Sequence, residues 1–277
     1  MTKKKTSLAA YPYIAWSALF IVIPLLIVLF FSFTVKTDTG YSFSLENYSK
    51  LISCQYLSIF SRSIWLALIS TILCLVLGYP VAYIISKMKV SRRGFMIMLF
   101  ILPMWMNFLL RTYAWQAILD INGILDLFLA KFGITGFNII NTPAAIILGM
   151  VYDYLPFMVL PIYNVLVKID DNVINAARDL GANFWQTLFK IIIPLSKAGI
   201  ASGIIMVFVP SLTTFVISDI LGGGKLLLIG NIVENKVKAD NLNLAAGLSL
   251  VLMIFIVVNM MFSGDDETGS VKVKEGK

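Results

Sequence analysis

Histidine is absent from all 277 residues, and cysteine occurs only at Cys54 and Cys74. Without histidine the chain lacks the commonest general base and the commonest metal ligand, and an H-E-x-x-H intramembrane protease is excluded. The two cysteines fall at different depths, one in the first loop and one inside the second apolar run, so no disulfide is expected. Neither G-x-S-x-G nor an embedded cluster of paired carboxylates is present, which disfavours an intramembrane enzyme. The phosphate-binding pattern G-x-x-x-x-G-K-[ST] is also missing: Gly224-Lys225 is followed by Leu226, and Asp219 stands where its first glycine belongs. Charge is scarce as well, at 13% of residues against roughly 25% in a typical soluble domain.

What fills the chain instead is apolar, at 59% hydrophobic. A bilayer core of about 30 Å needs roughly 20 consecutive apolar residues at about 1.5 Å of helical rise each. Tyr13 to Val35, Ser63 to Ser86, Ala198 to Ser218 and Leu244 to Ser263 reach that length without a charge. Phe95 to Leu119 contains Arg111, and Pro143 to Val167 contains Asp153. Outer-membrane strands are about 10 residues long and alternate in polarity, unlike these runs. The expectation is an all-α polytopic membrane protein with six spans at about 13–35, 63–86, 95–119, 143–167, 198–218 and 244–263, forming one domain over 1–277. The first run follows Lys3, Lys4 and Lys5 but is longer than a signal-peptide core of about 7–15 residues and lacks a small-residue cleavage site.

Net charge is +7, and its placement follows topology rather than a nucleic-acid surface. Of the 22 Lys and Arg, 14 fall in the two termini, the turn at 87–94 and the segment 168–197. The positive-inside rule puts those segments, and both termini, in the cytoplasm. Arg111 is expected to snorkel toward head groups, with Tyr113 and Trp115 in the interfacial aromatic belt. Pro103, Pro156, Pro161 and Pro210 interrupt spans, where neighbours or a water-lined cavity must satisfy the freed carbonyls.

The segment 168–197 does not read as a flexible linker. Asp171 or Asn172 can cap a first short helix, and Gly181 can end it in the left-handed conformation. Asn183 can cap a second, with Gln186 three residues on as its capping-box partner and Pro194 closing the run. Ala176, Ala177 and Gly181 keep the surface of this helical hairpin bare enough for another backbone to dock.

Asn175-Ala176-Ala177, three residues, Gly181, nine residues, then Ile191-x-Ile193-Pro194 resembles the EAA loop of ABC importer permeases, E-A-A-x3-G-x9-I-x-L-P. Asn175 replaces the glutamate of that pattern and Ile193 its leucine; the first change removes a charge, so the resemblance does not carry over an ion pair at position 175, where a neutral hydrogen bond can take its place. Leu77-Gly78-Tyr79-Pro80, Leu155-Pro156-Phe157-Met158-Val159, Ala176 to Ala182 and Leu227-Leu228-Ile229-Gly230-Asn231 are similar to polyamine permeases of the spermidine/putrescine type. The resemblance implies a type I (MetI-like) importer permease in the bacterial inner membrane. It also implies that Asn175, Ala176, Ala177, Arg178, Asp179, Gly181, Ile191 and Pro194 couple to a separate ATPase. The implied partners are a second permease subunit, a cytoplasmic ABC ATPase dimer holding the ATP and Mg, an extracytoplasmic polyamine-binding protein and membrane lipid. No cofactor in this chain and no nucleic acid are implied.

A polyamine path needs carboxylates or aromatic faces that replace the cation's hydration. Asp153, between Tyr152 and Tyr154 midway along the fourth span, is one candidate, because an embedded charge is costly. The alternative is that Asp153 holds helices together through a partner-subunit lysine or a tyrosine hydroxyl. Asp219, at the end of the fifth span in Ser218-Asp219-Ile220-Leu221-Gly222-Gly223, is the other candidate and is favoured because that run resembles polyamine permeases. Trp105, beside Pro103, can stack on an ammonium stem or simply pack. Other possibilities are a permease of the same class for iron, sulfate or phosphate, and a stand-alone cation carrier or channel.

Overall fold

A computed structural model describes residues 11–37, 40–133 and 138–268. The chain divides into two compact units, one comprising the residues up to Ser58 with Ile232–Val257, the other Ile59–Asn231 with the residues from Val258 on.

In the first unit, helix α1 (Tyr11–Ser32) loosens into a wider turn over Ala18–Val22, and none of its apolar window is buried. The chain then forms a short antiparallel hairpin, β1 (Thr34–Thr37) and β2 (Gly40–Phe43), with Thr34 opposite Phe43 and Thr37 opposite Gly40. This hairpin is a departure from the all-helical expectation. Ending a helix at a strand orphans its last carbonyls, and two buried asparagines meet them. Asn47 Nδ2, in α2 (Glu46–Leu51), donates to the Ser32 carbonyl and Asn243 Nδ2 to the Phe31 carbonyl, each at 3.2 Å, and both also reach the Thr34 carbonyl at the start of β1, at 3.0 and 2.7 Å. Cys54 is exposed, Cys74 is buried, and both are free thiols.

The second unit is built around α3 (Cys54–Lys87), whose first turn belongs to the first unit, and α7 (Pro143–Leu166). Between them run α4 (Val90–Ile101), a tight turn at Leu102–Trp105, α5 (Phe108–Leu119) and α6 (Ile124–Ala130). The single span expected over 95–119 is therefore broken: α4 with its turn and α5 onward meet at 89°. Pro103 lies in that turn, and the Asn107 side chain restarts a helix by accepting from the Leu109 amide at 2.8 Å. Pro156 and Pro161, by contrast, sit inside a continuous α7.

The segment after α7 forms α8 (Asp171–Asp179) and α9 (Phe184–Leu195), and α9 turns by 69° at Ser196 into α10 (Lys197–Thr213). Counting each bent pair as one span gives six helical crossings by length and composition, and counting neither gives four. α10 lies against α7 because Gly199 and Gly203 present no side chain: a Cβ at Gly199 would stand 2.9 Å from the Pro161 carbonyl, and one at Gly203 2.7 Å from Met158 Sδ. Such a small-xxx-small stripe lets membrane helices approach closely. The fifth span was expected to reach Ser218, but α10 stops at Thr213 and a separate turn, α11 (Val216–Leu221), packs on α5 and α7. The core joining these helices includes Ile146, Met150, Met158, Ile162, Val207, Ile217 and Leu221. α12 (Ile229–Lys238) and α13 (Leu242–Thr268) close the described chain, and both cross the boundary between the units.

Candidate functional site

The helical hairpin α8–α9 is built almost entirely from local chemistry. Asp170 caps α8, its carboxylate accepting from the Asn172 amide at 2.9 Å; the cap thus lies one residue before the expected Asp171 or Asn172. Gly181 has φ +84°, and the Gly181 and Ala182 amides donate back to the Arg178 and Ala177 carbonyls at 2.8 and 3.0 Å. That left-handed closure is the geometry glycine allows at low cost. The capping box at α9 is complete, with Gln186 N to Asn183 Oδ1 at 2.8 Å and Asn183 N to Gln186 Oε1 at 2.9 Å.

Two contacts seat the hairpin on the end of α3. Lys87 Nζ lies 2.5 Å from Asp171 Oδ1, and the Phe184 ring stands edge-on to Tyr83 at 6.2 Å. The Lys87 ammonium hydrogen-bonds and attracts the Asp171 carboxylate, holding its pKa below the ordinary aspartate value. What the hairpin turns outward is apolar: Leu180 is 89% exposed, and Trp185 stacks on Phe189 at 6.0 Å with both rings exposed. Asn175, Ala176, Arg178, Asp179, Gly181 and Pro194 are exposed too, whereas Ala177 faces inward and Ile191 is half-buried. An exposed patch of this kind marks a surface for a partner.

The embedded charges are arranged differently from the sequence expectation. Arg111 does not reach toward a membrane edge. α5 leaves the break at 89° and lies against α7 and α11, which turns Arg111 inward to 8% exposure with Nη2 3.4 Å from Asp153 Oδ1. Asp153 is 2% exposed. The contact is Coulombic rather than a hydrogen bond: Arg111 Nε and Asp153 Oδ1 have no hydrogen-bond partner among the described residues.

The aromatics beside it diverge. The Tyr154 hydroxyl donates to the Pro210 carbonyl at 3.5 Å, while Tyr152 stands edge-on to Trp115 at 5.3 Å. Tyr152 also lines a 290 Å³ cavity with Leu99, Phe100, Pro103, Leu155 and Pro156. Trp105, in the tight turn beside Pro103, is 85% exposed. No group of three or more His, Cys, Asp or Glu side chains forms a metal site among the described residues.

Asp219 is exposed on α11, but a buried neighbour holds its carboxylate. Asn231 Nδ2 donates to Asp219 Oδ1 at 2.6 Å and to the Phe215 carbonyl at 3.0 Å. Asn231 Oδ1 accepts from Ser218 Oγ at 2.6 Å and from the Leu228 amide at 2.9 Å. Ser63 Oγ on α3 accepts from the Ile229 amide at 2.9 Å. Gly230 is needed for this approach, since a Cβ there would stand 2.5 and 2.7 Å from the Thr213 and Thr214 carbonyls. Residues 213–231 thus form a clip in which Asp219 is presented and Asn231 is buried. Sequence reasoning did not assign Arg111 or Asn231 to the site; the available signals were a lone arginine in an apolar run and an asparagine directly after a glycine in one.

A sequence model of the family "binding-protein-dependent transport system inner membrane component" matches residues 75–264, which include the α8–α9 hairpin, the Arg111–Asp153 pair and the clip. The chain belongs to that family. It is 39% identical over 227 residues to the spermidine/putrescine transport system permease protein PotB of Haemophilus influenzae, covering 80% of this chain and 79% of that protein. To the PotB protein of Escherichia coli K12 it is 40% identical over 226 residues, covering 80% and 82%. Its fold matches a chain in the crystal structure of a bacterial ABC transporter that imports the acidic polysaccharide alginate, with a TM-score of 0.79 at 15% identity over 99% of this chain and 98% of that one. At that identity the likeness fixes the architecture alone, that of ABC importer permeases. The chain is thus an inner-membrane component of a binding-protein-dependent transport system.

Proposed function

We propose that this chain is the permease subunit of an ATP-driven importer of spermidine/putrescine-type polyamines, forming half of the translocation path. The observation that carries the proposal is the capped hairpin α8–α9, with its exposed Leu180, Trp185 and Phe189, in a chain 39–40% identical to spermidine/putrescine permeases. Its partners are a second permease subunit, a dimer of a cytoplasmic ABC ATPase that binds ATP and Mg, and an extracytoplasmic polyamine-binding protein. The chain itself has no ATPase site and no cofactor. Fourteen of its 22 Lys and Arg favour a cytoplasmic placement of both termini and of the hairpin.

Residues 175–194 seat in the ATPase, and closure of the ATPase dimer moves the hairpin as a rigid body because both of its helices are capped. The Lys87–Asp171 and Tyr83–Phe184 contacts pass that movement to α3, and rocking of packed helices alternates access to the path. Asp219 and the exposed faces of Trp105 and Tyr152 contact the cation along its route, carboxylate for charge and rings for cation–π attraction. Asp153 stands opposite Arg111, so any contact it makes with a cationic substrate competes with that guanidinium. An inside-negative potential favours inward movement by about 2.3 kcal/mol per charge per 100 mV, leaving ATP chiefly to set direction and gating.

The test is polyamine-stimulated ATPase activity of the complex purified with its partners. Gly181→Asp is expected to leave basal ATP hydrolysis but abolish its stimulation, and Asp219→Asn to change the polyamine concentration that gives half stimulation. Stimulation by iron, sulfate or phosphate instead of polyamine would assign the chain to another solute. Polyamine flux through the chain alone, without ATP, would make it a carrier or channel.

A further inference from the structure

We propose that Asn231 is the positioning residue for Asp219, setting the direction in which that carboxylate meets a polycationic substrate; the proposal rests on Asp219 being part of the substrate path. A primary amide has two donor and two acceptor positions, and Asn231, at 1% exposure, uses all four on partners within the clip. Its orientation is fixed by those partners. Exchanging its oxygen and nitrogen would set a donor against the Leu228 N–H and an acceptor against the Phe215 carbonyl, both unfavourable. Nδ2 therefore points at Asp219 Oδ1, 2.6 Å away, and the carboxylate's charge strengthens that bond.

The geometry has a mechanical logic. α11 is six residues long, and Asn231 reaches its Asp219 from a separate helix. Asn231 is anchored instead at the base of α12, where Gly230 is pressed against the Thr213 and Thr214 carbonyls and the Ile229 amide is bonded to Ser63 of α3. An amide donor orients a carboxylate without bringing a charge of its own. Arg111, facing Asp153, brings a full positive charge. Holding the acid in one direction reduces the ordering that a flexible polyamine must impose on binding, which is where preorganisation acts on affinity.

The experiment is initial-rate spermidine uptake by the assembled transporter in proteoliposomes, comparing wild type, Asn231→Ala, Asn231→Ser, Asp219→Asn and the Asn231→Ala/Asp219→Asn double variant. Asn231→Ser retains a buried polar group but does not reach Asp219. Both single Asn231 variants are expected to raise the KM for spermidine about tenfold while kcat stays within about twofold of wild type. The double variant is expected to match Asp219→Asn alone, since Asn231 acts through the group already removed. Multiplying effects in the double variant, or a loss of kcat and assembled complex at unchanged KM, would show Asn231 to be structural only. Failure of both Asn231 variants to assemble would say the same. An unchanged KM in Asp219→Asn would instead remove Asp219 from the path and leave the clip a packing device.

Discussion

Removing the Asp153 charge alone should damage this protein more than removing both charges of its pair. Asp153→Asn leaves the Arg111 guanidinium, only 8% exposed, without its counter-charge. Breaking one side of a buried ion pair typically costs about 3–5 kcal/mol, because an uncompensated charge stays buried. The present pair belongs at the lower end. Its 3.4 Å contact is not a hydrogen bond, and Arg111 Nε and Asp153 Oδ1 find no hydrogen-bond partner among the described residues, so little hydrogen-bond energy is lost with it. A loss of about 3 kcal/mol corresponds to a melting temperature lower by roughly 6–12 °C for a chain of this size.

The double variant Arg111→Met/Asp153→Leu removes both desolvation penalties and keeps apolar volume between α5 and α7. It is expected to melt at or above the wild-type temperature. The assay is the fraction of monodisperse detergent-solubilised protein after heating, read by size-exclusion chromatography. A double variant that loses the sum of the two single losses would refute the argument, because the pair would then contribute through independent contacts. Uptake measured with the same double variant bears on the substrate path: unchanged polyamine KM in a stable Arg111→Met/Asp153→Leu protein removes Asp153 from it.

Gly230→Ala should strain residues 213–231, since its methyl group would meet the Thr213 and Thr214 carbonyls at 2.5 and 2.7 Å. About 1–3 kcal/mol of overpacking is expected in the same melting assay, against no loss for Gly94→Ala, where nothing lies within 4 Å. The Lys87–Asp171 pair lowers the Asp171 pKa, so its contribution is full above the ordinary aspartate value near 3.8 and fades only as pH falls through the lower folded value. The pair's contribution to the coupling of ATP hydrolysis to uptake is therefore expected to stay constant between about pH 5 and 8. Asp171→Asn should reduce coupling equally across that range, and Lys87→Asp/Asp171→Lys should restore it; a coupling loss that appears only on acidification of the wild type would count against the tether.

How much of this was legible in the chain depended on how local the physics is. The apolar runs follow from bilayer thickness alone, and α1, α3, α7 and α13 occupy four of them as continuous helices. The hairpin α8–α9 was readable down to its capping box, because Asn183, Gln186 and Gly181 act within three or four residues of themselves. Even there the first cap moved to Asp170, since three consecutive residues, Asp170, Asp171 and Asn172, can all cap. The break at 102–107 was harder to read. Pro103 signalled an interruption, but Pro156 and Pro161 carry the same signal inside an unbroken helix. What separates them is tertiary: more than half of the α7 window is buried, whereas α4 has no buried residue. Arg111–Asp153 and Asp219–Asn231 join residues 42 and 12 positions apart with no periodic pattern to announce them. The β1–β2 hairpin lies in a loop whose eight strand residues were too few to compete with the apolar runs on either side.

The account depends on the α8–α9 hairpin being the seat of an ATPase on the cytoplasmic face. The direct measurement is crosslinking from Leu180→Cys in a Cys54→Ser/Cys74→Ala background, using membranes that contain the assembled transporter. The expected result is a crosslink to the ATPase subunit whose yield changes when ATP is added, with the introduced thiol unreactive toward an impermeant reagent applied from outside the cell. Labelling from the outside, or no crosslink to any ATPase under either condition, would contradict it.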